Sequence, residues 1–226
     1  MPLYWREELP GIGRLGVWKI TETEETLCSM RKLSKEENAC VQSFSHETVR
    51  CRSLAYRVLL EQLLQRSVEI GHDELGAPYI VGESSHISAS HSGEYAAVFY
   101  AEHCAVGIDI EKIQSRIASL RHKFMTMSEL RDAENVEKYF TGSDLNKLKP
   151  NGLENAVWTV YWGGKESVYK MFSSEKPLFT TQIEIAPFTL EAAVSRAFFV
   201  GEQLKREVTL RFKRINGYML VYTYEA

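Results

Sequence analysis

The sequence predicts an α+β fold of two similar halves, and three observations carry that expectation. Two stretches, Glu47 to Gln65 and Glu154 to Phe172, repeat apolar residues at helical spacing. Each is followed by segments rich in β-formers and turn residues. Asn216-Gly217, set between the alternating runs Lys205–Arg214 and Tyr218–Tyr224, is the best hairpin signal in the chain. One long helix and one hairpin-rich segment per half divide the chain into 1–113 and 114–226, although no sequence repeat is visible. Two such halves, related by a pseudo-two-fold axis, are expected to place the active site in the cleft between them, because ligand sites favour such junctions.

The elements follow in order. Arg14 to Thr23 is rich in β-formers and predicts a first strand, whereas 24–46 is polar and broken and predicts short helices. In the helix from Glu47 to Gln65, Cys51, Leu54, Ala55, Val58, Leu59 and Leu63 form the apolar stripe, flanked by Arg50, Arg52 and Arg57. Gly71 to Gly82 reads as a loop marked by Gly76 and Pro78. His86 to His91 leads through a tight turn at Ser92-Gly93 into a strand from Glu94 to Ala101, and Cys104 to Ile113 follows as a third strand. The polar segment 114–155, with Thr141-Gly142-Ser143-Asp144 and Lys149-Pro150-Asn151-Gly152, is expected to mix helix and long loop. The second long helix carries Val157, Trp158, Tyr161, Trp162, Val168, Tyr169 and Phe172 on its apolar side.

Composition narrows the function classes. With 226 residues, 44% hydrophobic and 25% charged, the chain can bury a sizeable core. A formal net charge of -3 argues against a general nucleic-acid binder. The start, Met1-Pro2-Leu3-Tyr4-Trp5-Arg6-Glu7-Glu8, shows no signal peptide, and no apolar run is long enough to span a bilayer. Cys28, Cys40, Cys51 and Cys104 are scattered without zinc-like spacing, which suits reduced thiols. A cytoplasmic protein that binds neither membrane nor nucleic acid is expected.

Three fragments can carry chemistry. In Gly107-Ile108-Asp109-Ile110-Glu111, period-2 geometry sends the isoleucines to one face and both carboxylates to the other. Adjacent carboxylates repel unless a cation sits there, and magnesium takes one or two such ligands with water and phosphate oxygens. A solvated strand face with its acids outward fits the same pattern. In Trp162-Gly163-Gly164-Lys165-Glu166-Ser167-Val168-Tyr169-Lys170, Glu166 and Lys170 share a helix face. They could be an ordinary exposed pair, but the aromatic setting makes unpaired charge costly. Two glycines inside a helix call for a close neighbour, a ligand or a bend. In Ser88-Ala89-Ser90-His91-Ser92-Gly93 the histidine can donate to a phosphate or be structural. No G-x-S-x-G elbow and no P-loop is present.

Together these fragments resemble the surfactin-type (group II) 4′-phosphopantetheinyl transferases. The resemblance rests on Gly107-Ile108-Asp109-Ile110-Glu111 and, after an insert of typical length, Trp162-x-x-Lys165-Glu166-Ser167-x-x-Lys170. Ile87-Ser88-Ala89-Ser90-His91-Ser92 is similar to the family's I-S-x-S-H-S/T segment, and the arginine-bearing helix 50–64 to its first long helix. Coverage runs over residues 15 to 172. The family's fold, two similar α+β halves with coenzyme A between them, implies the same here.

The resemblance implies a Mg²⁺-dependent enzyme, a holo-carrier-protein synthase. Its substrates would be coenzyme A and the serine of an apo acyl or peptidyl carrier protein, as in fatty acid biosynthesis, with 3′,5′-ADP released. Asp109, Glu111 and Glu166 would face the metal. Glu166, or a water it orients, would be the general base. Lys170 would neutralise the transferring phosphoryl group. His91 and Arg52 would hold coenzyme A phosphates, with Lys165 adding to that cationic side. Gly76-Ala77-Pro78 departs from the family's G-K-P and implies one cationic contact fewer. The alternatives are a non-catalytic relative that binds coenzyme A or a carrier protein, and a magnesium-dependent nucleotide diphosphate hydrolase. A monomer is expected, since one chain could build the whole cleft.

Overall fold

The hairpin signals and the two helical stripes organise a computed structural model in which residues 3–133, 139, 150–201 and 204–225 are described. The Thr141-Gly142-Ser143-Asp144 stretch and Lys149 lie outside these residues. The chain divides into two compact units, Met1–Val106 and Gly107–Ala226, and helix and strand both contribute heavily to each. Among the described residues, no helix is long and apolar enough to cross a membrane.

In the first unit, strands β1 (Leu3–Leu9), β2 (Gly13–Lys19), β5 (His86–Ser92) and β6 (Tyr95–Ala101) form an antiparallel sheet in the order β1-β2-β6-β5. Strands β3 (Ile70–His72) and β4 (Pro78–Ile80) pair as a separate ribbon within the stretch expected to be loop. Strand β1 is an addition to the sequence reading. It is an edge strand whose residues alternate between half-buried and exposed, so charged side chains are tolerated and no continuous apolar signal marks it. Helix α3 (Glu47–Leu64) packs Leu54, Val58 and Leu59 into the core with Trp18, Ala96 and Val98 of the sheet. Two short helices, α1 (Glu24–Ser29) and α2 (Lys35–Gln42), occupy the polar segment where short helices were expected. The turn after β5 carries Gly93 at φ +54°, as the Ser92-Gly93 signal required.

In the second unit, β7 (Val106–Lys112), β8 (Ile183–Ile185), β9 (Val194–Val200), β10 (Lys205–Ile215) and β11 (Tyr218–Tyr224) form one sheet in the order β7-β11-β10-β9-β8. Asn216 and Gly217 both take positive φ in the β10–β11 turn, the backbone that an Asn-Gly hairpin needs. Helices α4 (Ser115–Leu120) and α5 (Met127–Asp132) precede the long helix α6 (Pro150–Met171). Helix α6 lies against β11 and β8, and this answers why it tolerates paired glycines. A Cβ on Gly163 would come within 2.6 Å of Val221 Cγ2, and one on Gly164 within 3.0 Å of Ile185 Cδ1. A neighbouring sheet, pressed close to the helix, is the reason for both.

Candidate active site

Strand β7 and helix α6 meet backbone to side chain. Gly107 lies against the carbonyl of Ser167 so closely that a Cβ at 107 has no room. That contact sets the next residues of the strand beside the next turn of the helix. Ile108 and Ile110 enter the core, while Asp109 is 5% exposed and Glu111 half-buried. Lys170 reaches across from α6, donating to Asp109 Oδ1 at 2.8 Å and to the Ile108 carbonyl at 3.0 Å.

Glu166 sits one helical turn before Lys170 and is half-buried. Burial pushes its carboxyl up to about 7, and the negative charges of Asp109 and, less strongly, Glu111 push the same way while Lys170 opposes them. Asp109, Glu111 and Glu166 are therefore electrostatic neighbours. They do not form a closed ligand cage. Among the described residues no group of three His, Cys, Asp or Glu side chains is assembled to hold a metal ion. The Lys170 ammonium lies against Asp109 Oδ1 at 2.8 Å, and Glu111 accepts from the backbone N–H of Lys112 at 2.8 Å. The chemistry of the donor set nonetheless fits a hard dication. Mutually repelling carboxylates gain from one, and magnesium needs only one or two of them besides water and phosphate oxygens.

His91 and Arg52 both belong to the first unit. His91 is exposed on β5, opposite Ala96 of β6. Arg52 extends from α3 and donates to the carbonyl of Gly93 at 3.0 Å, so both side chains attend the same hairpin end. Ala77 follows an Asp73 turn in which the Asp73 carboxylate accepts from the N–H groups of Leu75 and Ala77.

Lys165 is placed differently from the expectation that it joins the cationic coenzyme A side. It is fully buried, and its ammonium is spent on the Glu129 carboxylate at 2.8 Å and on the carbonyls of Phe179 and Ile183. A charge enclosed with three acceptors has no reach left for a phosphate at the surface. The sequence holds the signal for this: Tyr161, Lys165, Val168 and Phe172 follow one another at helical spacing on the buried stripe.

A cavity of about 300 Å³ opens beside Glu111, walled by Ile117, Leu120, Phe124 and Trp162 and by Gln114 and Arg116. The Phe124 and Trp162 rings meet edge to face, 5.2 Å between centroids. Motif reasoning gave Trp162 no role, and α4, in a segment expected only to mix helix and loop, supplies the rest of the wall.

Residues 105–220, which hold this strand, helix and cavity, match the family model described as the 4′-phosphopantetheinyl transferase superfamily. The chain belongs to that superfamily. The match runs from the start of β7 into β11, so every carboxylate and lysine of the second-unit cluster lies inside the transferase region. A protein named phosphopantetheinyl transferase, from Thraustochytrium sp. (strain ATCC 26185 / S-3), is 27% identical over 194 residues. That alignment covers 74% of this chain and 64% of the relative, so the chain spans under two thirds of the relative's length.

Proposed function

We propose that the chain transfers the 4′-phosphopantetheine arm of coenzyme A to the serine of an apo acyl or peptidyl carrier protein, releasing 3′,5′-ADP. The observation that supports this most is the Asp109–Lys170–Glu166 cluster inside the family-matched region. In this reading the serine Oγ attacks the phosphorus that bears the pantetheine arm, and the bond from that phosphorus to the bridging oxygen of 3′,5′-ADP breaks. Glu166, or a water it orients, accepts the serine proton, the role of a positioned general base. Lys170 offsets the charge spread over the phosphoryl oxygens. Asp109, Glu111 and Glu166 are the residues that would hold Mg²⁺, whose charge, when bound, would stabilise the pyrophosphate and the departing nucleotide.

His91 and Arg52 are proposed to hold coenzyme A phosphates. The two units are proposed to be similar halves of a surfactin-type (group II) enzyme that works as a cytoplasmic monomer; their matching buried glutamates, described below, support the similarity. The test is direct. Purified protein, Mg²⁺, coenzyme A and an apo carrier protein are mixed, and the carrier is weighed by mass spectrometry for the phosphopantetheine increment. Asp109→Ala is expected to abolish the increment while the fold, read by near-UV circular dichroism, stays native. Coenzyme A binding without any increment from the wild-type chain would overturn transfer, and a near-normal Asp109→Ala rate at limiting Mg²⁺ would remove the metal assignment.

A further inference from the structure

Lys165 and Glu129 are both enclosed, at 0% and 2% side-chain exposure, and neither lies at a surface that a substrate could touch. Glu129 is also the third residue of α5. Its carboxylate accepts from the Thr126 N–H at 2.6 Å, while Thr126 accepts in turn from the Glu129 N–H at 3.1 Å. The same carboxylate accepts from the Ile185 N–H of β8 at 2.7 Å. Lys165 adds the carbonyls of Phe179 and Ile183. One buried ion pair therefore ties α6 to the start of α5, to β8 and to the segment before it.

The tie falls one residue before Glu166. Successive helical residues point about 100° apart, so a rotation of α6 that lets Lys165 swing carries Glu166 with it. Gly163 and Gly164 let the sheet press close to this turn, but they offer no side chain of their own that fixes its rotation. The ion pair supplies a directional anchor where the glycines supply none.

We propose that Lys165 and Glu129 are positioning residues, a buried clamp that fixes the rotation of α6 and so the placement of Glu166 and Lys170 over Asp109. This rests on the transfer reaction proposed above. A misplacement of about 1 Å at a reacting centre can cost on the order of 100-fold in rate, so loss of the clamp is read mainly in kcat.

The experiment uses the full chain, coenzyme A and an apo carrier protein. Lys165→Met alone strands a buried carboxylate and can unfold the chain, so the main variant is Glu129→Gln/Lys165→Met, which removes both charges at similar volume. Glu129→Gln alone, which keeps an acceptor for Ile185 N, is assayed beside it and decides the matter if the double variant does not fold. Folding is followed by near-UV circular dichroism, and assays run well below each melting temperature. In the folded variant kcat is expected to fall roughly 10- to 100-fold while KM for coenzyme A, and its Kd by calorimetry, stay within about twofold. Native kcat in the folded variant overturns the proposal. A raised KM with unchanged kcat overturns it too, and returns Lys165 to the phosphate-binding side. A wild-type chain that transfers nothing sinks the transferase reading itself; an active wild type matched by the variant sinks the clamp alone.

Discussion

The two units bury the same device under different chemistry. In the first, Glu37 is the third residue of α2, caps it reciprocally with Ser34, and accepts from the Ile70 N–H of β3. In the second, Glu129 is the third residue of α5, caps it reciprocally with Thr126, and accepts from the Ile185 N–H of β8. Each glutamate faces a buried cation of the long helix that follows: Arg57 of α3 at 3.8 Å, Lys165 of α6 at 2.8 Å. The residue after each cation is where the units part. Val58 is buried core, whereas Glu166 joins the carboxylate cluster. A buried glutamate–cation pair is thus common to both units, and in the second unit Glu166 of the carboxylate cluster stands one position beyond it.

The cations differ as well. Glu37 holds Arg31, with contacts at 2.8 and 3.0 Å, in addition to Arg57. Arginine keeps its charge in proteins, so removing the carboxylate strands the buried Arg57 guanidinium and leaves Arg31 to pair with Glu61, at 3.4 Å. Glu37→Ala is therefore expected to produce the largest stability loss, at least ~3–5 kcal/mol, read by denaturant titration and by hydrogen exchange of α2 and β3. A loss under about 1 kcal/mol would show that the first-unit clamp carries no weight and would end the parallel.

Glu129→Ala sharpens the comparison because lysine can shed its proton. Burial holds the Lys165 ammonium below its ordinary value, with Glu129 acting in the opposite sense. A group that binds protons more weakly when folded makes stability rise with pH between its folded value and the unfolded value near 10.5, and lowers it as pH falls through that window. Without Glu129 the window extends to lower pH. The expected cost is a few kcal/mol at pH 7, shrinking measurably by pH 9, whereas the cost of Glu37→Ala stays flat. Equal pH dependence in the two variants would break the distinction between the clamps.

Legibility followed the range of the interaction. The Asn216-Gly217 turn, the Ser92-Gly93 turn and both long helices depend on neighbours within a few residues, and the sequence shows them. The carboxylates of β7 and the Glu166–Lys170 face were readable because short-period geometry orients them within one element. Ser34-x-x-Glu37 and Thr126-x-x-Glu129 are local capping patterns that the reading passed over. Their partners could not be read the same way: Ile70 and Ile185 belong to three-residue strands with little signal of their own. Strand β1 is hidden by the charges an edge strand tolerates, and Lys165 owes its expected place among the phosphate-binding cations to the family resemblance, while its periodicity on the Tyr161–Phe172 stripe points inward.

The smallest expected effect lies where the two long helices end. Helix α3 stops on Gln65 in the left-handed region, at φ 56° and ψ 32°. Helix α6 instead passes through Phe172 at φ −114° and a 3₁₀ turn at Ser173–Glu175 before Lys176 reaches φ 47°. A side chain in the left-handed region costs about 1 kcal/mol, and glycine removes that strain while adding disorder to the unfolded chain. Gln65→Gly stands immediately after an uninterrupted helix, the usual place for a glycine cap, and is expected to add ~0.5 kcal/mol, or about 1–3 °C in melting temperature. Lys176→Gly lies beyond a 3₁₀ turn whose backbone bond, Lys176 N–H to the Ser173 carbonyl, already fixes the chain, so its gain should be smaller. If Lys176→Gly stabilises more than Gln65→Gly, the 3₁₀ turn is the strained terminus, and the ends of α3 and α6 differ for a reason other than where the left-handed residue falls.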